Sequence, residues 1–251
     1  MPVFTTPVSS QNTASSGGVH LYPSISQSSQ YNVVGDAFQR ESLTPTNAYT
    51  LYTTVAASSG TASILTTAPF QLELATAAAS ANDYVGTRTS GLTFFRIASD
   101  PIIDPRTIMR TSIVAAFKSV TGIQTFCGFV KTFAGITALP GTTKSMGFYM
   151  DTSVDSKIYL TSSNGTSQRT LDCGTAAFST YYKTVITQNA DNSVVLQLFS
   201  GLSYGQINNL LGTLTVTDSG YDDIFSLHFW NKTLDATAKK LDVYSWANYS
   251  T

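Results

Sequence analysis

Residues that could act as acids, bases or nucleophiles are scarce in this chain and do not form a recognisable set. Only two glutamates occur, Glu41 and Glu73, and Glu73 lies between two leucines with no second carboxylate two or four residues further on. Hydrolysis of a glycosidic bond needs a pair of carboxylates that flank that bond. His20 and His228 are far apart in the sequence, and no serine–histidine–acid set can be proposed around either. These residues predict a protein that is not an enzyme.

One acidic segment could bind a metal ion. Asp151 and Asp155 enclose Thr152 and Ser153, so that two carboxylates and two hydroxyls lie close together in the sequence. Calcium takes about six to eight oxygen ligands, and this segment supplies only a few of them. The alternatives are a calcium site at Asp151 and Asp155 or a solvated hairpin turn, and the turn is favoured. No other cofactor is expected, because the glycines show no phosphate-binding arrangement.

The two cysteines, Cys127 and Cys173, could form one disulfide, but a sequence does not establish the geometry that such a bond requires. Cys127 lies in an apolar run, where a buried and inert thiol is the alternative. The sequence is compatible with either a disulfide or two free thiols.

Aromatic and asparagine residues suggest two kinds of contact with sugars. Trp230 and Trp246 are candidates for stacking on a sugar ring, with core packing as the alternative. Three Asn-x-Ser/Thr sequences could accept an N-linked glycan, at Asn164, Asn231 and Asn248. A chain rich in serine and threonine also produces such triplets by chance.

The composition indicates the class of fold that must position these residues. Apolar residues make up 42% of the 251 residues, enough for one core, whereas charged residues make up 12%, about half of the usual share of about 25%. The abundant Thr, Val, Ile, Tyr and Phe favour strands. A net charge of −1 provides no basic surface for nucleic acid, and no apolar run is long enough to span a membrane as a helix.

Short strands separated by turn residues recur from about Ser42 onward, which is typical of a β-sandwich or barrel. The run Phe70–Leu74 alternates apolar and polar residues and predicts a strand with one buried face. The turns at Asn164-Gly165 and at residues 190–192 each predict a hairpin. An all-β domain over residues 43–251 is therefore expected.

Other local features are less regular. The C-terminal run predicts a closing strand with Leu241, Val243 and Ser245 on one face. Two short helical turns are predicted, near residues 75–81 and 204–210. No repeat of fixed period is found, which disfavours propellers and solenoids.

Residues 1–42 have a different character. They are rich in Ser, Thr, Gln, Asn and Gly and show little periodicity, so that they could not bury enough surface to fold alone. We expect an extended polar arm that is tied down by a neighbouring subunit.

A resemblance to a known fold is carried by five groups of strands: Phe70-x-Leu72-x-Leu74, Arg110–Phe117 before Gly122, the hairpin of Gly147–Asp151 with Lys157–Leu160, the pair of Tyr182–Ile186 with Val194–Phe199, and the closing Leu241–Tyr244. In this order they resemble the concanavalin A-like lectin and glucanase (laminin-G type) jelly roll, as found in phage and archaeal-virus structural proteins and in secreted carbohydrate-binding proteins. The resemblance implies a two-sheet antiparallel jelly-roll sandwich. The Glu-x-Asp-x-x-Glu pattern of the glucanases is missing from this chain.

The first function hypothesis is a non-enzymatic virion structural protein that assembles through its jelly roll and its arm. Residues 1–7 carry no export signal, and a surface of neutral hydroxyls and amides would suit a virus of an acidophilic or thermophilic host. The expected partners are copies of itself and other virion proteins, with host-surface glycans as a further partner, and the expected location is the virion.

The alternative is a lectin-like module that binds carbohydrate or a host receptor, which would also fit a secreted protein. The second alternative is a glycoside hydrolase, which would have to rely on aspartates alone.

Overall fold

The computed structural model of the protein describes residues 20–23, 32–36, 52–56, 59–65, 71–78, 80–89, 109–131, 135–189, 191, 193–217 and 225–250. Within these residues the chain forms sixteen β-strands and no helix. None of the described segments is therefore a helix long and apolar enough to cross a membrane.

The sixteen strands follow one another along the chain without an intervening helix in the described residues. The first eight are β1 His20–Pro23, β2 Asn32–Asp36, β3 Tyr52–Ala56, β4 Thr61–Leu65, β5 Gln71–Ala75, β6 Tyr84–Thr89, β7 Met109–Phe117 and β8 Ile123–Val130. The last eight are β9 Ser145–Asp151, β10 Lys157–Ser163, β11 Gln168–Thr175, β12 Tyr181–Gln188, β13 Val194–Gly201, β14 Asn209–Val216, β15 Ser226–Thr233 and β16 Lys240–Ser250.

The strands form two sheets. The nine-stranded sheet has the order β1-β2-β16-β7-β12-β13-β14, and β5 also pairs with β16 and with β4. The seven-stranded sheet has the order β11-β10-β9-β8-β15-β6-β3. All these pairs are antiparallel. The expected all-β, two-sheet jelly-roll sandwich is confirmed.

The core lies between the two sheets because each strand directs alternate side chains inward. Along β9, Met146, Phe148 and Met150 are 0% exposed, whereas Tyr149 and Asp151 are half-buried. Facing strands contribute large apolar side chains to the same cluster, among them Leu72, Leu74, Ile113, Phe117, Phe129, Leu160, Leu196, Leu198, Phe229 and Leu241. Burying one such side chain contributes about 1.5–3 kcal/mol, so this interior is the main stabilising feature of the fold.

Part of the range predicted as a polar arm, residues 1–42, belongs to the nine-stranded sheet. Strands β1 and β2 form an antiparallel pair, and β2 lies beside β16 with Asn32 opposite Ser250 and Asp36 opposite Trp246. The β-branched Val33 and Val34 favour this strand. The rest of the predicted arm lies outside the described residues.

The helical turns predicted near residues 75–81 and 204–210 are wrong. Ala75 is the last residue of β5, and Asn209 already begins β14. Asn209 pairs with Ser200 and Leu210 pairs with Phe199 on β13. Pairing with a neighbouring strand outweighs the weak helix preference at these ends, and the other described residues of both ranges form turns and irregular backbone.

The prediction that Ser245 shares the inward face of Leu241 and Val243 is also wrong. A bulge between Val243 and Ser245 shifts the register of β16 against β7, and an extra residue of this kind changes which side chain points inward. Trp246 therefore enters the core. The Ser245 hydroxyl instead lies on the outer face, 2.9 Å from the Tyr204 hydroxyl.

The cysteines are two separate, buried thiols. Cys127 lies on β8 and Cys173 on β11, and β9 and β10 run between these strands. Strands are about 4.8 Å apart, so the two Cα atoms are separated by about 14 Å, whereas a disulfide spans at most about 7 Å. Burial raises the pKa of the Cys127 thiol well above its usual range, which makes this thiol unreactive.

Two facing glycines allow β8 and β9 to come close together. Gly128 and Gly147 are directly opposite each other. A Cβ atom on Gly147 would lie 2.3 Å from the carbonyl oxygen of Cys127, and one on Gly128 would lie 2.2 Å from that of Met146. Neither position has room for a side chain.

We expect Gly147→Ala to lower the free energy of unfolding by about 1–3 kcal/mol, because the strands must separate to admit the methyl group. Gly205→Ala is the control, since no heavy atom lies within 4 Å of its added Cβ, and should change stability by less than about 0.5 kcal/mol. Chemical denaturation of both variants measures the difference. Equal effects would contradict the close approach of β8 and β9.

Asp242 on β16 is a buried carboxylate with 0% exposure. Gln71 donates to its Oδ2 atom at 2.8 Å, and the Lys118 ammonium is 3.7 Å from the same oxygen. Glu73 lies opposite Asp242 and forms an ion pair with Lys240. Burial raises the pKa of Asp242 to about 6, against the opposing charge of Lys118. The carboxyl group therefore titrates in a range where ordinary aspartates are fully ionised.

A pKa that is raised in the folded state stabilises the fold at low pH. The contribution of Asp242 to the free energy of unfolding is fully present below the unfolded-state pKa of about 3.9. It is lost as the pH rises through about 6. A shift of two pKa units corresponds to about 3 kcal/mol. We expect Asp242→Asn to remove most of the loss of unfolding free energy that the wild type shows between pH 4 and pH 7.

Denaturant unfolding at several pH values tests this expectation. Asp191→Asn is the matched control, because the pKa of this exposed carboxyl is lowered by hydrogen bonds from Ser193, and the variant should keep the wild-type slope. A wild-type stability that rises between pH 4 and pH 7 would show that Asp242 is not the dominant titrating group.

Candidate functional site

A row of four aromatic side chains crosses the outer face of the seven-stranded sheet. Trp230 on β15 lies opposite Phe126 on β8, Phe126 lies opposite Tyr149 on β9, and Tyr149 lies opposite Tyr159 on β10. Side chains directly opposite each other have Cβ atoms about 4.5–5.5 Å apart and therefore pack together. The row follows from the alternation that sends the sequence neighbours of these residues into the core.

The loop between β8 and β9 covers one half of this row. Ile136 and Leu139 from the loop pack against Phe126 and Trp230, which are both 0% exposed. The apolar side chains of the loop thus provide a second, smaller core on the outside of the sheet.

The other half of the row is open and forms a cleft. The rings of Tyr149 and Tyr159 are stacked, with centroids 5.3 Å apart and planes inclined by 17°. They line a cavity of about 380 Å³, which we call the tyrosine cleft and which is bounded by Leu139, Pro140, Gly141, Tyr149, Asp151, Val154, Tyr159, Thr161 and Gln168. The volume falls within the range of about 300–1,000 Å³ that is typical of small-molecule sites.

The loop wall of the tyrosine cleft is fixed by hydrogen bonds. The Thr143 N–H donates to the carbonyl of Pro140 at 2.8 Å and closes a turn. The Ser163 hydroxyl on β10 donates to the carbonyl of Thr142 at 3.0 Å. These bonds hold the Leu139–Gly141 side of the cleft against the strand that carries Tyr159.

Polar groups at the edge of the tyrosine cleft are held in fixed orientations. Asp151 accepts hydrogen bonds from the Gln124 amide at 2.8 Å and from the Ser153 N–H at 3.0 Å. Gln168 donates to the Thr161 hydroxyl at 2.9 Å. Carboxylate, amide and hydroxyl groups therefore surround the two aromatic rings.

Both tyrosines of the cleft are neutral phenols that lie beside aspartate carboxylates. The Tyr159 hydroxyl donates to Asp155 at 2.6 Å, and this bond raises the pKa of Tyr159 to about 12 and lowers that of Asp155. Burial, followed by the charges of Asp151 and Asp155, raises the pKa of Tyr149. Both rings keep their protons at neutral pH.

Such an arrangement can bind a ring-shaped polar molecule. The flat faces of the tyrosines offer apolar surface, and the surrounding acceptors and donors can bind hydroxyl groups at the edge of a ligand. A specific site of this kind combines an apolar surface with a few well-positioned polar groups.

Neither tryptophan predicted to stack on a sugar offers a ring face to solvent. Trp230 is 0% exposed beneath the β8–β9 loop, and Trp246 is 2% exposed within the core. For both residues the structure shows the alternative of core packing. Trp230 nevertheless belongs to the aromatic row whose open end forms the tyrosine cleft.

Two of the three proposed glycosylation sites are buried. Asn231 is 0% exposed and donates to the carbonyls of Leu74 and Lys239, both at 3.1 Å. Asn248 is 6% exposed and accepts a hydrogen bond from Thr111. A glycan at either position has no space in the folded protein. Asn164 lies at the β10–β11 turn and is half-buried, so glycosylation there stays a prediction.

Asp151 and Asp155 are brought together at the β9–β10 turn, as the sequence predicted. All four carboxylate oxygens of this pair already accept hydrogen bonds from the protein, from Gln124, Ser153, Lys157 and Tyr159. Among the described residues no group of three or more His, Cys, Asp or Glu side chains could hold a metal ion. The solvated turn describes the pair well, and calcium binding stays a prediction.

Two other features of the described residues are less suited to ligand binding. The hydroxyl of Ser226 lies 2.9 Å from Nε2 of His228, but both residues are only 1% exposed. A larger concavity of about 580 Å³ lies at one end of the nine-stranded sheet. Its lining contains neither an aromatic ring nor a charged side chain, so the smaller tyrosine cleft has the more specific chemistry.

Sequence reasoning did not identify Tyr149 and Tyr159 as site residues, although the signal was present. Both lie in the predicted hairpin, and both alternate along their strands with the apolar residues that enter the core, so that they point to the opposite face. An aromatic residue on the polar face of each strand indicates an apolar area on the outer surface of the sheet.

Comparison with known proteins was made by sequence and by fold. No family model matches the sequence, and no curated protein matches it. A protein of unknown function from Shewanella oneidensis MR-1 is 14% identical with a TM-score of 0.59, and the match covers 100% of this chain and 96% of that chain.

Plant lectins are also similar in fold. Basic winged bean lectin, in complex with Tn-antigen, is 11% identical with a TM-score of 0.55 over 88% of this chain and 99% of its own. Lectin II from Ulex europaeus is 14% identical with a TM-score of 0.52 over 80% of this chain and 93% of its own. At such identities these likenesses show the fold alone, which is a two-sheet antiparallel jelly roll.

Proposed function

We propose that this protein is a lectin-like module that binds carbohydrate at the tyrosine cleft. The observation that carries the proposal is the stacked pair of Tyr149 and Tyr159, which lines an open cavity edged by Asp151 and Gln168. A pyranose ring has an apolar face that packs on an aromatic ring and hydroxyl groups at its edge that hydrogen-bond to polar side chains.

The site would bind without chemical reaction. One tyrosine ring stacks on the sugar, Asp151 accepts hydrogen bonds from its hydroxyls, and Gln168 and Thr161 can exchange their mutual bond for bonds to the ligand. Little reorganisation is needed, because the loop wall and the acidic turn are already held by protein hydrogen bonds.

The fold comparisons support this class of function but do not carry it. Basic winged bean lectin was solved with Tn-antigen, and a Ulex europaeus lectin was solved with galactose. One fold hosts many functions, so the proposal depends on the residues of the cleft. The same neighbours are mostly lectins, which is consistent with a protein that is not an enzyme.

The virion structural role expected from the sequence finds no support in these comparisons. It includes assembly through residues 1–42, most of which lie outside the described residues. The neighbours named above are plant lectins and a bacterial protein of unknown function. Location in a virion, or alternatively outside the cell, stays a prediction.

We expect the wild-type protein to bind saccharides on a glycan array and Tyr159→Ala to bind the same saccharides about tenfold more weakly. Loss of one stacking face costs about 1–1.5 kcal/mol, which corresponds to about a tenfold change in Kd. Tyr204→Ala is the matched control, since Tyr204 is 46% exposed and contacts Ser245 on the nine-stranded sheet.

Thermal unfolding of both variants ensures that folded proteins are compared. Retention of binding in Tyr159→Ala, or an equal loss in Tyr204→Ala, would refute the assignment of binding to the tyrosine cleft.

A further inference from the structure

The tyrosine cleft lies in an acidic part of the surface. Asp151 lines the cleft, Asp155 accepts the hydrogen bond from Tyr159, and Asp172 lies directly opposite Tyr159 on β11. The one basic side chain among these groups, Lys157, forms an ion pair with Asp172. Three carboxylates therefore face one ammonium group, which is already paired.

Among the described residues, no basic side chain lines the cleft itself. Its lining consists of apolar, hydroxyl and amide groups together with the single charged residue Asp151. The side chain of Lys144 lies against Gly165 in the β10–β11 turn and does not belong to the described lining. A ligand with negative charge would therefore meet carboxylates without a compensating cation.

The negative potential persists across the ordinary pH range. The hydrogen bond from Tyr159 lowers the pKa of Asp155, and the bond from Lys157 lowers that of Asp172. The aromatic rings add to the effect, because the face of a tyrosine ring attracts cations. The rings and the carboxylates thus both favour a positively charged ligand.

We infer that the tyrosine cleft prefers saccharides that carry a free ammonium group, as glucosamine units do, over neutral saccharides, and that it rejects saccharides that carry carboxylates. This inference rests on the proposed function. An ammonium group at the edge of a sugar that is stacked on Tyr149 or Tyr159 would interact with the carboxylate of Asp151 and with the neighbouring ring face.

Two trisaccharides of the same shape separate charge from shape, and a third of similar size carries the opposite charge. Cellotriose is the neutral probe, the β-1,4-linked glucosamine trimer differs from it only in the amino group of each unit, and the galacturonate trimer is the anionic probe. Isothermal titration at pH 5.5 and low salt is expected to show the glucosamine trimer binding at least about fivefold more tightly than cellotriose. No binding of the galacturonate trimer is expected.

The preference should depend on the local charge. Asp151→Asn keeps the shape of the side chain and removes its charge. It weakens the binding of both sugars through the lost acceptor, and it should weaken the glucosamine trimer more, so that the ratio of the two affinities falls towards one. Asp191→Asn removes one charge from the β12–β13 turn and should leave the ratio unchanged. Raising the salt concentration should also reduce the ratio, because it screens exposed charges.

The outcomes distinguish this inference from the proposed function. Equal affinities for cellotriose and the glucosamine trimer, tighter binding of the galacturonate trimer, or an unchanged ratio in Asp151→Asn would overturn the preference and leave carbohydrate binding in place. A folded wild-type protein that bound none of the three trisaccharides and no saccharide on the array would overturn both.

Discussion

A sheet that carries apolar side chains on both faces must be shielded from solvent on both faces. The arrangement of the seven-stranded sheet and its neighbours follows from that requirement. The inner face of the seven-stranded sheet packs against the nine-stranded sheet. Its outer face carries Trp230 and Phe126, which are covered by Ile136 and Leu139 from the β8–β9 loop. Where that cover ends, the aromatic row continues as Tyr149 and Tyr159 and forms the wall of a cleft. The same packing constraint thus produces a covered aromatic cluster and an open cleft side by side.

The regular part of this structure could be predicted from the sequence. Alternation of apolar and polar residues indicates strands, and Asn164-Gly165 indicates the hairpin between β10 and β11. These signals are local, because each depends on residues within one strand or one turn. The all-β sandwich and the position of Asp151 and Asp155 on one turn follow from them.

The candidate site could not be predicted in the same way. A single bulge in β16 exchanges Ser245 for Trp246 in the core, and nothing in the local sequence marks its position. Trp230 points to the outer face of its sheet, yet it is buried because the β8–β9 loop packs over it. Tyr149 also points to the outer face, but it is only half-buried, because the loop covers it less completely. The distinction between a buried and an open aromatic residue depends on tertiary contacts.

The proposed function rests on the cleft more than on the fold. The jelly-roll sandwich provides two sheets and says little about what binds to them. The stacked rings, the ordered acceptors and the surplus of carboxylates fit the ligand that we propose, a saccharide that is neutral or positively charged. The position of this site on the outer face of the sheet also separates it from the buried pair of Ser226 and His228, which solvent does not reach.

The most direct test of the central claim is nuclear magnetic resonance of protein labelled in its tyrosine rings, titrated with the glucosamine trimer. Ring signals are assigned by single Tyr→Phe substitutions. We expect saturable shifts for Tyr149 and Tyr159, with little change for Tyr181, Tyr204 and Tyr244, which cluster on the opposite sheet. Shifts confined to that second cluster, or no shifts at saturating sugar, would contradict sugar binding at the tyrosine cleft.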